Sequence, residues 1–288
     1  MLAGQNYLPY EKKLNALKVA LPSLACDCHF HVFEDPKLFP YGAIRSYTPT
    51  QAPLNAYTKL MHTCGIERAV YIQPSIYGAD HSLMEALLID NSQWLRAVAV
   101  AFPNTTDLTL SKWHELGVRG TRCNALFDGG ISTNQIQEIS ERVRQFGWHI
   151  QLCVDISKNA DLIPELNQRG ITVVVDHFGH FPLNTAKRCK GFATLLEMLK
   201  EGNTWVKLSG PYRVSAQRVK FSECRWAAEQ LLKANADRVI WGSDWPHPAI
   251  TSAMVNDGDL INAKPEWIGT ENMQKVMVTN PSNLYWAT

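Results

Sequence analysis

Eight short runs along the chain, most of them β-branched and apolar throughout, lack the alternation expected of strands that show one face to water. They are LACDCHFHV (24–32), RAVYIQPS (68–75), RAVAVAFP (96–103), GVRGTRCN (117–124), HIQLCVD (149–155), TVVVDHFG (172–179), TWVKLSG (204–210) and RVIWGSDW (238–245). Short, β-branched runs of this kind predict strands buried on both faces. Between them the period changes to that of helices. TPTQAPLNAYTKLMHTCG (48–65) opens on Thr and Pro and closes on Gly, and STNQIQEISERVRQFG (132–147) opens on Ser and Thr and closes on Gly. Both carry start and stop signals of helices. SECRWAAEQLLKANA (222–236) is amphipathic, with Trp226 and Leu231 or Leu232 on its buried side. Eight strands alternating with helices predict an α/β fold of the (β/α)8 TIM-barrel type. The whole of 1–288 reads as a single domain, with a barrel core at about 24–286. A doubly wound open sheet is the alternative. It calls for a glycine-rich phosphate loop after the first strand, where this chain has HFHVFED.

Composition narrows the partners. The 288 residues are 45% hydrophobic and 19% charged, with a net charge of +1 and no basic stripe. Nucleic acid is therefore not expected as a partner, and no apolar stretch is long enough to span a bilayer. Seven cysteines, an odd number without CxxC pairs, read as reduced thiols of a cytoplasmic protein.

A barrel of this kind carries its chemistry at the C-terminal ends of its strands. Those ends read HFH, QPS, TRCN, VDHFGH, KLSGPYR and GSDWPHP. His29, His31, Ser75, Arg122, His177, Arg213 and Asp244 should therefore converge on one mouth. His29 and His31, two apart on one strand, should face the same way. Arg122 and Arg213 suit either a carboxylate ligand or a buried ion pair with a neighbouring carboxylate. His62, His114 and His149 read as core or rim histidines, and FDGG (127–130) as a plain turn.

DCHFHVF, RSYTP, DHFG, VKLSGPYR and GSDWPHP together resemble the amidohydrolase superfamily, and within it the branch of 2-pyrone-4,6-dicarboxylate lactonase and related lactone hydrolases. Two departures separate the chain from the binuclear members. These need a carbamylated lysine on the fourth strand and a histidine on the fifth, where this chain has RGTRCN and LCVD. A two-metal site is not expected. The resemblance implies a metal-independent hydrolase with no cofactor, although one zinc on His29, His31, His177 and Asp244 is chemically open. It further implies that His29, His31 and His177 polarise a lactone carbonyl while Asp244 activates water. Arg122 and Arg213 would hold the carboxylates of the substrate, with Tyr47 and Ser75 adding hydrogen bonds and His180 and His247 as further contacts. The family brings another basic residue shortly after the first arginine; here CNALFDGG follows Arg122. The expected partner is a small carboxylated lactone. The rivals are a zinc-dependent decarboxylase or amide hydrolase on the same residues, and a non-catalytic binder of carboxylated ligands.

Overall fold

The computed structural model describes residues 6–216 and 221–287. All eight expected strands form: β1 (Cys26–Phe30), β2 (Arg68–Ile72), β3 (Leu95–Ala99), β4 (Val118–Asn124), β5 (His149–Cys153), β6 (Val173–Val175), β7 (Thr204–Leu208) and β8 (Val239–Trp241). They lie in sequence order in one sheet, every neighbour parallel. The segment after β8 closes the sheet onto β1. There the Asp244 N–H donates to the His29 carbonyl and the His31 N–H to the Trp245 carbonyl, both at 2.8 Å. The result is a (β/α)8 barrel, and burial on both faces explains why its strands lack alternation.

Each crossover carries a main helix: α1 (Leu54–Cys64), α2 (Ser82–Asn91), α3 (Asp107–Leu116), α4 (Ile136–Arg144), α5 (Leu162–Gln168), α6 (Lys190–Glu201) and α7 (Ser222–Asn235). Helix α1 stops where Gly65 turns left-handed at φ 73°, as the sequence signal predicts. It begins later than the Thr48 signal because Ala52 is held extended, exchanging two 2.9 Å hydrogen bonds with Phe33. Before α4, Ser132 and Gln135 form a reciprocal capping box around a short 3-10 turn. On α7, Leu231 is buried, while Trp226 is only partly so and packs on Phe192 with ring centroids 5.9 Å apart. Among the described residues no helix is long and apolar enough to cross a membrane.

Two strands are shorter than their apolar runs. β6 ends at Val175 and β8 at Trp241, so the polar residues that follow sit in tight turns. His177, Phe178 and His180 adopt φ of 52°, 56° and 51°, and Asp244 and His247 adopt 64° and 60°. Left-handed conformations are costly for residues with a Cβ, and they concentrate here at the barrel mouth.

The barrel interior is apolar at the far end, where Cys26, Cys28, Val70, Ile72, Val98, Val174 and Ile240 pack with Tyr285. His149 also lies inside, at the start of β5 and away from the mouth, its ring edge-on to Tyr285. Gly120 makes room for it, since a Cβ there would come within 2.5 Å of His149 Nε2.

Candidate active site

A register shift in β1 between Asp27 and Phe30 sorts the side chains of the first strand. Asp27 turns outward, where Tyr57 of α1 and Ser243 donate to its carboxylate. His29 and His31 both face the mouth, their rings edge-on with centroids 5.1 Å apart. His177 closes from the β6 turn, 4.7 Å from the His29 ring. Asp244 Oδ1 lies 3.7 Å from His29 Nε2 and 3.6 Å from His31 Nε2. Two glycines permit this crowding. A Cβ on Gly242 would meet His29 Cβ at 2.5 Å, and one on Gly210 would meet His177 Nδ1 at 2.8 Å and Asp244 Oδ2 at 3.1 Å.

Above the cluster opens a small cavity lined by His31, Tyr47, Ser75, Arg122, His177, Arg213 and Asp244, with Asn124, Phe127, Pro248 and Ala249 completing its wall. The seven residues expected at the mouth are thus brought together, His29 lying just beneath. His180 and His247 are not. His247 is fully buried, its Nε2 3.1 Å from Asp257 Oδ1 and its ring against Tyr212, because the left-handed turn at Asp244 and His247 sends the imidazole behind the cavity wall. His180 packs beside His177 at 5.6 Å without reaching the lining.

Both arginines pair with carboxylates and still face the cavity. Arg122 Nε donates to Asp176 Oδ2 at 3.1 Å, and Arg213 Nε to Asp244 Oδ2 at 2.7 Å. Arg213 Nη2 also donates to the Pro248 carbonyl. The ion-pair and ligand readings of these arginines are therefore compatible. The Nε edges hold the protein carboxylates, and among the described residues Arg122 Nη1 and Nη2 and Arg213 Nη1 have no protein partner.

Three residues that sequence reasoning missed complete the site. Asp176, the last residue before His177, is wholly buried beside Arg122, His29, Gln151 and Lys207. Lys207 lies inside β7, its ammonium donating to Gln151 Oε1 at 2.7 Å and to the Cys28 carbonyl at 3.0 Å. Tyr212 donates to Asp244 Oδ2 at 2.5 Å.

Burial and these partners set the protonation states. Burial pushes His29 down to about 3, lowers His31, and holds His177 well below the usual imidazole range, so all three are neutral near pH 7. Burial alone would raise Asp244, but the adjacent Arg213 charge overcomes it and holds the carboxyl well below the usual carboxylate range. Asp176 is likewise held low against its own burial by His29, Lys207 and Arg122.

Oxygen and nitrogen atoms without partners mark where a ligand can act. His29 Nε2 and Asp244 Oδ1 are buried and make no hydrogen bond within the protein. His31 Nδ1 is 2.7 Å from the Ile72 carbonyl and His177 Nδ1 is 2.9 Å from Ser209 Oγ, which leaves their Nε2 atoms for the cavity. One ligand atom from each of His29, His177 and Asp244 falls within a 4.8 Å cluster. This donor set fits one divalent ion.

The amidohydrolase family model matches residues 26–286. The chain belongs to the amidohydrolase family. It is 31% identical to a 4-sulfomuconolactone hydrolase of Hydrogenophaga intermedia over 94% of this chain and 92% of that protein. It is 32% identical to a 2-pyrone-4,6-dicarboxylate hydrolase of Comamonas testosteroni, over 92% of this chain and 91% of the relative. A solved structure from Agrobacterium tumefaciens, 23% identical, superposes with a TM-score of 0.84 over 95% of this chain and 99% of its own, and shares the fold.

Proposed function

We propose that this amidohydrolase opens a carboxylated lactone by adding water to the ring carbonyl, with Asp244 as general base and no metal. The observation that carries the reading is the convergence of an unpartnered Asp244 Oδ1, three neutral imidazoles and the free ends of two guanidinium groups on one small cavity. Two of the similar proteins are named as hydrolases of a lactone or a pyrone dicarboxylate, which accords with it.

The hydrogen-bond partners of the imidazoles support a role for each. A carbonyl can only accept, so His31 carries its proton on Nδ1 and presents the Nε2 lone pair to the cavity. At His29, Nδ1 lies 3.3 Å from the carboxylate oxygen Asp176 Oδ1, which can only accept, and 3.5 Å from the Lys207 ammonium, which can only donate. When Nδ1 donates to Asp176, Nε2 is an acceptor; when Lys207 donates to Nδ1, His29 carries its proton on Nε2, toward the cavity. His29 Nε2–H is then a donor for the developing oxyanion. His177 joins it when Ser209 donates to its Nδ1. His31 Nε2 and Asp244 Oδ1 are both acceptors, 3.6 Å apart, and suit the two protons of one water. Asp244 takes the proton as the water oxygen adds to the carbonyl, and returns it to the ring oxygen as the C–O bond breaks. Arg213 and Tyr212 hold Oδ2 and leave Oδ1 for this exchange. Arg122, Arg213, Tyr47 and Ser75 bind the substrate.

The second reading is a zinc enzyme. His29, His177 and Asp244, with His31 beside them, would hold the ion, which would supply Lewis acidity. The cations Lys207, Arg122 and Arg213 around the cluster weigh against it. A panel of carboxylated lactones, assayed before and after exhaustive chelation with elemental analysis of the active protein, separates the two. Opening that survives chelation supports the metal-free reading. Near one zinc per chain, with activity lost on removal and restored by zinc, supports the other. The reading is of a cytoplasmic enzyme acting on small molecules, consistent with seven free cysteines.

A further inference from the structure

We infer that Asp27 is a positioning residue for the reaction: through Ser243, its carboxylate holds the strained turn that aims Asp244 at the cavity. The inference rests on the reading of Asp244 as the base and extends it to the side chain behind the base.

Asp27 is wholly buried between β1, α1 and the segment after β8. Four donors converge on its carboxylate. Oδ1 accepts from the His29 N–H at 3.0 Å and the Ser243 N–H at 2.8 Å. Oδ2 accepts from Tyr57 Oη at 2.9 Å and Ser243 Oγ at 2.5 Å. Among the described residues no lysine or arginine forms an ion pair with it. A buried charge without a counter-ion is costly, and here four hydrogen bonds take the counter-ion's place.

The bonds on the Ser243 side bear on the base. Asp244 sits at φ 64°, a left-handed conformation that persists in a residue with a Cβ only where the surroundings over-determine it. The residue before it is fixed by the Ser243 N–H on Asp27 Oδ1. The residue after it is fixed by the Trp245 N–H, which donates to Ser243 Oγ at 3.0 Å. That bond uses the hydroxyl as an acceptor and leaves its proton for Asp27 Oδ2, the His29 carbonyl at 3.4 Å being the more distant acceptor. Asp27 thus holds the backbone on both sides of Asp244. The Asp244 N–H itself donates to the His29 carbonyl, and the His29 N–H to Asp27, so base and imidazole are set against one carboxylate. Tyr57 acts on the other side. Its hydroxyl ties the same carboxylate to α1, and its ring packs on Phe30 and Trp245, contacts that phenylalanine would keep.

Asp27→Ala would remove all four bonds and endanger the fold, so two milder variants carry the test. Ser243→Ala and Tyr57→Phe each take one donor from Oδ2, the first on the side of the turn and the second on the side of α1. A merely structural role for Asp27 would make their kinetics alike. With both variants shown to be folded by their melting curves, Ser243→Ala should lower kcat for a carboxylated lactone at least about tenfold and keep KM within about twofold, while Tyr57→Phe keeps both within about twofold. Equal losses of kcat in the two, or a Ser243→Ala kcat within about twofold of the wild type, would overturn the inference. If the wild type opens no lactone, the reading of the base falls, and crystal structures of the two variants decide the positioning claim by themselves. A turn that leaves φ 64° at Asp244 in Ser243→Ala and keeps it in Tyr57→Phe upholds the claim. A turn unchanged in Ser243→Ala, or displaced equally in both, overturns it.

Discussion

Arg213 Nε lies 2.7 Å from Asp244 Oδ2, so the residue expected to grip the substrate also holds the base. An arginine that only bound a ligand carboxylate would affect KM when lost. This one shares a buried ion pair, and its removal leaves Asp244 with Tyr212 alone on Oδ2.

Arg213→Met should therefore raise KM and lower kcat together, with a total loss in kcat/KM of about 2–5 kcal/mol, the scale for truncating one partner of a buried charge pair. Arg122→Met, whose carboxylate partner is Asp176 and not the base, should act mainly through KM. Steady-state kinetics of the two variants on one substrate checks the split. A kcat for Arg213→Met equal to that of the wild type would separate the arginine from the base.

Lys207 is wholly buried between Asp176 and the barrel strands. Lys207→Met should destabilise the fold by about 3–5 kcal/mol, because Asp176 is left buried with less countercharge. It should also reduce kcat, since His29 Nδ1 loses the donor that lets its proton sit on Nε2. Denaturant unfolding beside kinetics gives both numbers. A loss of stability below about 1 kcal/mol, or an unchanged turnover, would contradict the role given to the ammonium.

The barrel was legible in the sequence because strands buried on both faces read as mostly apolar runs without alternation, and eight strand-like runs are separated by helical patterns. The strand-end residues were legible for the same reason: HFH and GSDW interrupt apolar runs where a barrel places its chemistry. Asp176 and Lys207 lie inside the runs TVVVDHFG and TWVKLSG, where apolar periodicity does not single them out. A charge inside TWVKLS needs a buried opposite charge, and the aspartate before His177 supplies it, so that pairing rule was the available signal. Asn124 and Phe127 carried no such signal. They reach the cavity because the loop after β4 folds back, Asn124 N–H donating to the Ile131 carbonyl at 3.2 Å. His247 was misplaced because adjacency to Asp244 says nothing about a left-handed turn that reverses its direction.

A pH effect on stability should arise outside the active site. Lys264 is buried, its Nζ 4.0 Å from the Trp267 ring centroid and 5.3 Å from that of Trp241. Burial pushes it down to about 7, from 10.5. Between those values the unfolded chain binds the proton and the folded one does not, so the contribution of this group to stability rises with pH across that window. Below about 7 the folded protein carries the buried charge at full cost. Lys264→Met should therefore gain most over the wild type at mildly acid pH, and its advantage should shrink as pH rises through the window. Urea unfolding of both proteins at pH about 6 and about 9 measures this. An advantage that is constant or grows with pH would contradict the assignment.

The central claim is that Asp244 Oδ1 takes the proton of the attacking water. Asp244→Asn keeps the shape and can still accept from Tyr212, but it removes the base and the negative charge. The kcat of this variant for lactone opening is the most direct measurement. The account predicts a fall of at least about 10²-fold, the scale for a positioned general base, with substrate binding retained. A variant that opens the lactone at close to the wild-type rate would contradict it.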